Sequence, residues 1–359
     1  MRREVERTRW GVVCVAVAAG VVVAFQVGKA PPALPVLRRD LGMSLAVAGW
    51  VLAAFSLVAA VTGAASGALT GRIGTRRTLL LGLLLTALAS VLGGLAPNGP
   101  LLLGSRVAEG AGFLGVVIAA PSLIAEVARA DDARLAFGFW GTYMPAGQAI
   151  MLLAAPLLLS GLGWRGTWYV NAGILVACAV VAWMVLGVRD PLDAERRTRA
   201  EPPRLTGDLR TVIRAPGPRL LAVIFATYGL QFLALVGFLP TIYAARGLGT
   251  LASDMLTSAV VAANVVGNLG AGLLLHRGAP RWLLICLAST VMGLAAIGVY
   301  SIGAPFIITY VLALAFSAFG GLLPTSVLGG APVLAPHPRL VPATNGVLVQ
   351  GSNCGLVIG

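Results

Sequence analysis

Charge is scarce in this chain. Only 11% of its 359 residues are charged, against 58% that are hydrophobic, and one lysine, Lys29, stands among twenty-five arginines. Histidine occurs only twice, at His276 and His337, each alone in a polar stretch, so no metal centre is in view. The four cysteines, Cys14, Cys178, Cys286 and Cys354, all fall in apolar segments and read as small packing residues rather than a disulfide framework. The apolar segments hold no serine–histidine pair, no paired carboxylates and no ligand cluster, which argues against an enzyme embedded in a membrane and implies no cofactor. What remains is length and grease. No soluble domain of this size has a core able to hide so much apolar surface.

Eleven apolar segments run along the chain, beginning near Trp10, Leu45, Leu79, Leu101, Leu135, Trp168, Leu220, Met255, Trp282, Phe306 and Val341. Most are about 20 residues long, the length at which an α-helix crosses roughly 30 Å of hydrocarbon. Membrane-barrel strands would be half as long and alternating. An all-α polytopic membrane protein follows. The first segment is too long for a signal-peptide core and lacks a cleavage site, so it reads as an uncleaved span.

The formal net charge of +13 suggests nucleic acid until the arginines are placed. With the N-terminus in the cytoplasm, twenty basic residues fall in inner loops and four in outer ones (Arg38, Arg39, Arg165, Arg246), while Lys29 and Arg106 lie inside spans. That asymmetry is the positive-inside pattern. The charge sets topology, and no nucleic-acid partner is implied. Tryptophans Trp10, Trp50, Trp164, Trp168 and Trp282 near segment ends read as interface anchors. Trp140 and Trp183 receive no role.

The longest polar stretch, Arg189 to Arg219, carries eight arginines and five prolines and reads as a solvated cytoplasmic linker. It divides the chain into a first bundle of six segments (1–188), a linker (189–219) and a second bundle of five (220–359). A shift of 205 positions lays Gln26 on Gln231, Leu34 on Leu239, Pro35 on Pro240, Gly67 on Gly272 and Arg72 on Arg277. With three further residues of offset, Gly138 and Gly147 fall on Gly346 and Gly355. Such a repeat suits two bundles that rock about a midplane site.

"GALTGRIGTRR", Gly67 to Arg77, follows the second segment. Its glycines let helices and a tight turn approach closely, and its arginines hold the turn at the lipid–water boundary. The loop resembles the signature of the major facilitator superfamily, with Gly67, Leu69, Arg72, Gly74, Arg76 and Arg77 matching. Gly71 stands where that family usually carries an aspartate, and the second half has a decayed copy, "GLLLHRGAPR", with His276 at the acidic position. "RVAEGAG" (Arg106 to Gly112), "GTYMPAG" (Gly141 to Gly147) and "GWRGTWYVN" (Gly163 to Asn171) are similar to further family patterns. "GTYMPAG" lacks the glycine before Pro145 found in family antiporters. A narrower likeness, to the branch of cyanate and nitroimidazole permeases, rests on "FLPTIY", "NVVGNLGAGLLLHRG" and "ATNGVLVQGSN". The resemblance implies the major facilitator fold, two pseudo-repeated six-helix bundles with alternating access. Eleven of twelve transmembrane helices are then present, the last one missing beyond Gly359.

Charges inside a bilayer cost about 2.5–3.5 kcal/mol each on insertion scales and usually face a cavity. Lys29, Arg106 and Glu109 are the three placed there. Lys29 lies three residues after Gln26 on one helix face, just before Pro31 and Pro32. Two readings stand open for it: an ammonium that meets a small anion in a vestibule, or a side chain that snorkels outward. Arg106 and Glu109 either neutralise each other or serve coupling, with Glu109 the first candidate to carry a proton. The pairs Tyr228/Gln231, Asn264/Asn268 and Gln350/Asn353 each put two polar groups on one helix face. They serve either as interhelical glue or as lining of a path.

The expectation is therefore a monomeric secondary active transporter in a bacterial cytoplasmic membrane. Gln26 and Lys29 would bind a small organic, anionic solute opposite Tyr228, Gln231, Asn264 and Asn268, with Gln350 and Asn353 as further candidates and protons as the coupling ion if transport is coupled. Efflux of multiple drugs is the main alternative, and a non-transporting sensor or scaffold on the same fold is the other.

Overall fold

The computed structural model describes residues 7–187, 205–301 and 305–358, all helix and connecting turns with no strand among them. The first half comprises α1 (Trp10–Gly28), α2 (Ala30–Asp40), α3 (Leu45–Ile73), α4 (Thr75–Leu95), α5 (Gly99–Val127), α6 (Ala130–Gly141) and α7 (Tyr143–Leu186). After α8 (Leu205–Arg214) come α9 (Pro216–Val236), α10 (Leu239–Ala245), α11 (Thr250–His276) and α12 (Arg281–Val299). The chain then runs through α13 (Phe306–Gly320), α14 (Leu322–Leu328), α15 (Ala331–Leu334) and α16 (Val341–Ile358). Among the described residues, nine helical stretches are long and apolar enough to cross a membrane. Helices begin at Trp10, Leu45, Phe306 and Val341 as the sequence suggests and up to five residues earlier elsewhere, while the segment expected from Trp168 lies inside α7.

Proline decides where the long rods break. Pro32, Pro145, Pro240 and Pro324 have no N–H to give the carbonyl four residues back. Those carbonyls belong to Gly28, Gly141, Val236 and Gly320, the last residues of α1, α6, α9 and α13. A fifth break has another cause. Within α7, Gly163 adopts φ +65° and ψ 179°, which interrupts the rod, and a side chain there would be strained.

The two halves repeat their packing. A Cβ built on Gly147 would strike the carbonyl of Val21, and one on Gly355 would strike that of Ala226. Val21 and Ala226 are related by the 205-residue shift, and Gly147 and Gly355 by the 208-residue one, so one helix contact occurs twice. The halves also meet through two related contacts. A Cβ on Gly138 would lie 2.7 Å from the Cα of Gly272, and one on Gly346 would lie 2.8 Å from that of Gly67. Only backbone-to-backbone packing fits there. Around these glycines, Arg134 donates to the Leu275 carbonyl (2.8 Å), Asn345 to the Ser122 hydroxyl (2.9 Å), and His276 Nδ1 lies 2.9 Å from the Asp131 carbonyl. The arginine-rich end of the molecule is thus drawn together across both halves.

Four expectations need correction. Residues 205–214 are not solvated linker: they form α8, which packs on α3, α9 and α16 and buries Val212 against Leu340 and Ala343. The charge of that stretch hid one apolar face; residues 188–204 lie outside the described ones. His276 is the last residue of α11 rather than part of a loop. Trp164 and Trp168 are buried rather than anchored at an interface, since Gly163 turns the helix they open back into the bundle. Finally, α11 begins at Thr250, which places Asp254 within a candidate span, and α5 likewise includes Glu126.

Candidate functional site

The first half buries a charged cluster. Lys29, at the joint of α1 and α2, is fully buried, so the snorkelling reading fails. Its ammonium reaches Glu109 Oε1 at 2.7 Å and Ser90 Oγ at 2.8 Å, and also donates to Gln26 Oε1. An ammonium has three donors, and all three are taken, leaving none for a solute carboxylate in this conformation. The indole of Trp168 covers the same nitrogen at 4.4 Å from its centroid. The other carboxylate oxygen of Glu109 accepts from Arg106, one helical turn earlier on α5. Arg106 also donates to the carbonyls of Val51 (3.1 Å) and Gln26 (3.0 Å) and lies over the ring of Phe55.

Around this core, Ser90 donates to the Trp168 carbonyl (3.0 Å), and Gln26 Nε2 reaches Asn171 Oδ1 (3.4 Å). The cluster therefore joins α1, α3, α4, α5 and α7. It holds two cations and one carboxylate out of reach of solvent. Burial at this cost is sustained only when every charge has close partners, which these have.

The second half buries a neutral counterpart. Asn264 donates to the Tyr228 hydroxyl (3.2 Å) and the Ser317 carbonyl (2.9 Å). Asn268 donates to Asn264 Oδ1 (2.8 Å), and Thr325 donates to Asn268 Oδ1 (2.9 Å). A Cβ on Gly141 would collide with both Asn268 and Thr325, so this network abuts the break between α6 and α7. Next to that break, Tyr143 stacks on buried Trp140 with centroids 4.2 Å apart. Tyr143 and Tyr228, each half-buried, pack against the same apolar core cluster. Phe225 and Phe232 flank Tyr228 along α9, extending an aromatic wall.

The residues singled out in sequence thus separate into two groups. Gln26, Lys29, Arg106 and Glu109 meet, as do Tyr228, Asn264 and Asn268. Gln231 is half-buried on α9 and, among the described residues, joins neither network. Gln350 holds α16 to α3 through the Ala64 amide (3.1 Å) and Ala60 carbonyl (2.8 Å), and Asn353 bonds its own helix at Val349. In the loop, Gly67 is buried against α16, and Gly74 adopts φ +98° to turn between α3 and α4. Arg76 donates to the Leu186 carbonyl (2.9 Å), whereas Leu69, Arg72 and Arg77 are exposed. The Cβ position of Gly71 is open, so an aspartate would fit there.

Sequence reasoning missed Ser90, Trp168, Asn171, Thr325, Trp140 and Tyr143. Trp168 and Asn171 did carry a signal: three residues apart, they share one face of a helix. Among the described residues, no three histidine, cysteine or acidic side chains converge as metal ligands.

The profile of the family described as Major Facilitator Superfamily matches residues 16–359. The chain is similar to a puromycin resistance protein of Streptomyces alboniger, 36% identical over 193 residues, which are 54% of this chain and 37% of that protein. It is similar also to the multidrug efflux pump LfrA of Mycolicibacterium smegmatis, 29% identical over 247 residues, 68% of this chain and 42% of the pump. The matches span about two fifths of those relatives' length. Among solved structures, the proton:xylose symporter XylE bound to 6-bromo-6-deoxy-D-glucose aligns with a TM-score of 0.77 at 15% identity, covering 97% of this chain and 86% of that one. At that identity the likeness is one of fold.

Proposed function

The chain belongs to the Major Facilitator Superfamily, and we propose that within it the protein is an exporter of organic molecules with aromatic surface, driven by protons. It is a multi-pass membrane transporter; direction, solute and coupling are the proposal. The observation that carries it is the division of labour between the two networks. The fully buried Lys29, Arg106 and Glu109 are locked into one cluster of the first half, while Tyr143 stacks on Trp140 and Tyr228 lies between Phe225 and Phe232 beside the neutral network. A wall of that kind offers dispersion and stacking to a flat apolar solute and hydroxyls to orient it. It offers no free cation to a small carboxylate, which turns the reading from uptake of a small anion toward efflux. Relatives named for puromycin resistance and multidrug efflux support the same direction, whereas the likeness to cyanate and nitroimidazole permeases finds no support among them.

The same reading places the N-terminus and the arginine-rich end in the cytoplasm of a bacterium and the protein in its inner membrane as a monomer. It counts eleven crossings: Gly163 divides the stretch Ala130–Leu186 in two, and α16 adds one more. Two bundles, 1–188 and 220–359, would rock about the aromatic wall, with the contacts at Gly67 and Gly138 parting as the cytoplasmic side opens. Puromycin accumulation by inside-out vesicles tests this. Accumulation that needs an inward-acid gradient supports export; its absence, with uptake of small carboxylates instead, overturns it.

A further inference from the structure

The charged cluster has an imbalance that its hydrogen bonds do not remove: two cations share one carboxylate, and all three side chains are buried. Arginine keeps its proton at any pH the protein survives. If Glu109 took up a proton, Lys29 and Arg106 would be left buried with no counter-charge. If Lys29 released one, the remainder would be a neutral amine beside a matched Arg106–Glu109 pair. Isolated charges in a low-dielectric interior are the expensive case, so the second change is the one this arrangement tolerates.

The neighbours of Lys29 suit both of its states. Glu109 and Arg106 are the charged groups facing it, both from α5. The other helices packed around it contribute Ser90 from α4, Trp168 and Asn171 from α7, and Gln26 from α1 itself. A hydroxyl can donate or accept, and an amide offers one group of each kind. Ser90 and Gln26 therefore accept from an ammonium and, by rotating the hydroxyl or turning the amide, donate to the lone pair of an amine. The backbone beside Lys29 is also open to change. Pro31 and Pro32 supply no N–H to the carbonyls of Val27 and Gly28, so the joint between α1 and α2 lacks two helical hydrogen bonds next to the ammonium.

We propose that Lys29, rather than Glu109, is the group that binds and releases the coupling proton, with Ser90 and Gln26 as the switchable partners that hold either form. This rests on the reading of the protein as a proton-driven carrier. In each cycle the amine takes one proton from water on the acidic side. The Nζ–H bond breaks after the halves have rocked, and the proton passes to water on the other side as solute moves the opposite way. Glu109 stays paired with Arg106 throughout and holds the ammonium in place.

Lys29 is the only lysine in the chain, so biosynthetic labelling with lysine carrying carbon-13 at Cε gives one side-chain resonance from the full protein in nanodiscs. The expected result is a reversible shift of that resonance to the neutral-amine position over the pH range in which puromycin transport responds to a gradient, absent in Lys29→Met. A resonance fixed at the ammonium position over that range overturns the proposal. In vesicles, Lys29→Arg keeps the charge but has no proton to release, and its puromycin accumulation is expected to fall to the level seen without a gradient. A full gradient response in Lys29→Arg also overturns the proposal. If the resonance titrates while the unmodified protein moves no puromycin, the assignment of the titrating group stands and the transport reading fails.

Discussion

The two halves share their backbone contacts and differ in their buried chemistry. Gly147 on Val21 and Gly355 on Ala226 are one packing solution used twice, and Gly67 with Gly346 repeats as Gly272 with Gly138. The charges do not repeat. Under the 205-residue shift Lys29 falls on Ala234, Arg106 on Val311 and Glu109 on Leu314. Architecture therefore needs the glycines and not the charges, because the buried network of the second half, among the described residues, is made of amides and hydroxyls. A costly feature absent from the sister half points to function in the half that keeps it.

That difference can be attacked directly. Glu109→Ala leaves two buried cations unmatched, and breaking such a pair costs about 3–5 kcal/mol. Its loss of thermal stability, read by fluorescence-detected size exclusion after heating, should exceed that of every substitution that follows. Gly138→Val and Gly67→Val come next: each drives a side chain into the opposing backbone, an overpacking effect of about 1–3 kcal/mol. Both should part the arginine-rich ends, raising the labelling of cysteines introduced between the halves there. Unequal responses would mean that the two contacts are not equivalent. Asn268→Ala strips the neutral network of its centre at about 1–3 kcal/mol. A loss as large as that of Glu109→Ala would abolish the distinction between the clusters. Smallest is Gln231→Ala, expected within about 0.5 kcal/mol because its side chain joins neither network. Gln26→Ala, at the related position, should exceed it clearly in the same melting assay.

Much of the scaffold was legible in the sequence. Apolar runs located the helices, Pro31 and Pro32 marked one of their breaks, and the glycines matched by a numerical shift lie at close helix contacts. Those features are local or periodic. The clusters depend on what a linear reading hides: Lys29 meets Glu109 across 80 residues of chain, and Ser90 and Trp168 complete the shell from two further helices. Lys29 and Glu109 were visible as costly groups, but not as partners. The misplaced tryptophans share this cause, since a position near a segment's end says little about direction once Gly163 redirects the helix. In α8, prolines and arginines nearby outweighed the short apolar face that Val212 presents.

If charge in the first half couples protons to a solute held between the halves, removing the charge of Glu109 must uncouple the two. Puromycin accumulation in inside-out vesicles reads this without intermediates, with and without an inward-acid gradient, for the unmodified chain and for Glu109→Gln at matched folded protein levels. Gradient-dependent accumulation is expected in the unmodified chain and none above background in Glu109→Gln. Equal gradient-dependent accumulation in both would refute the coupling.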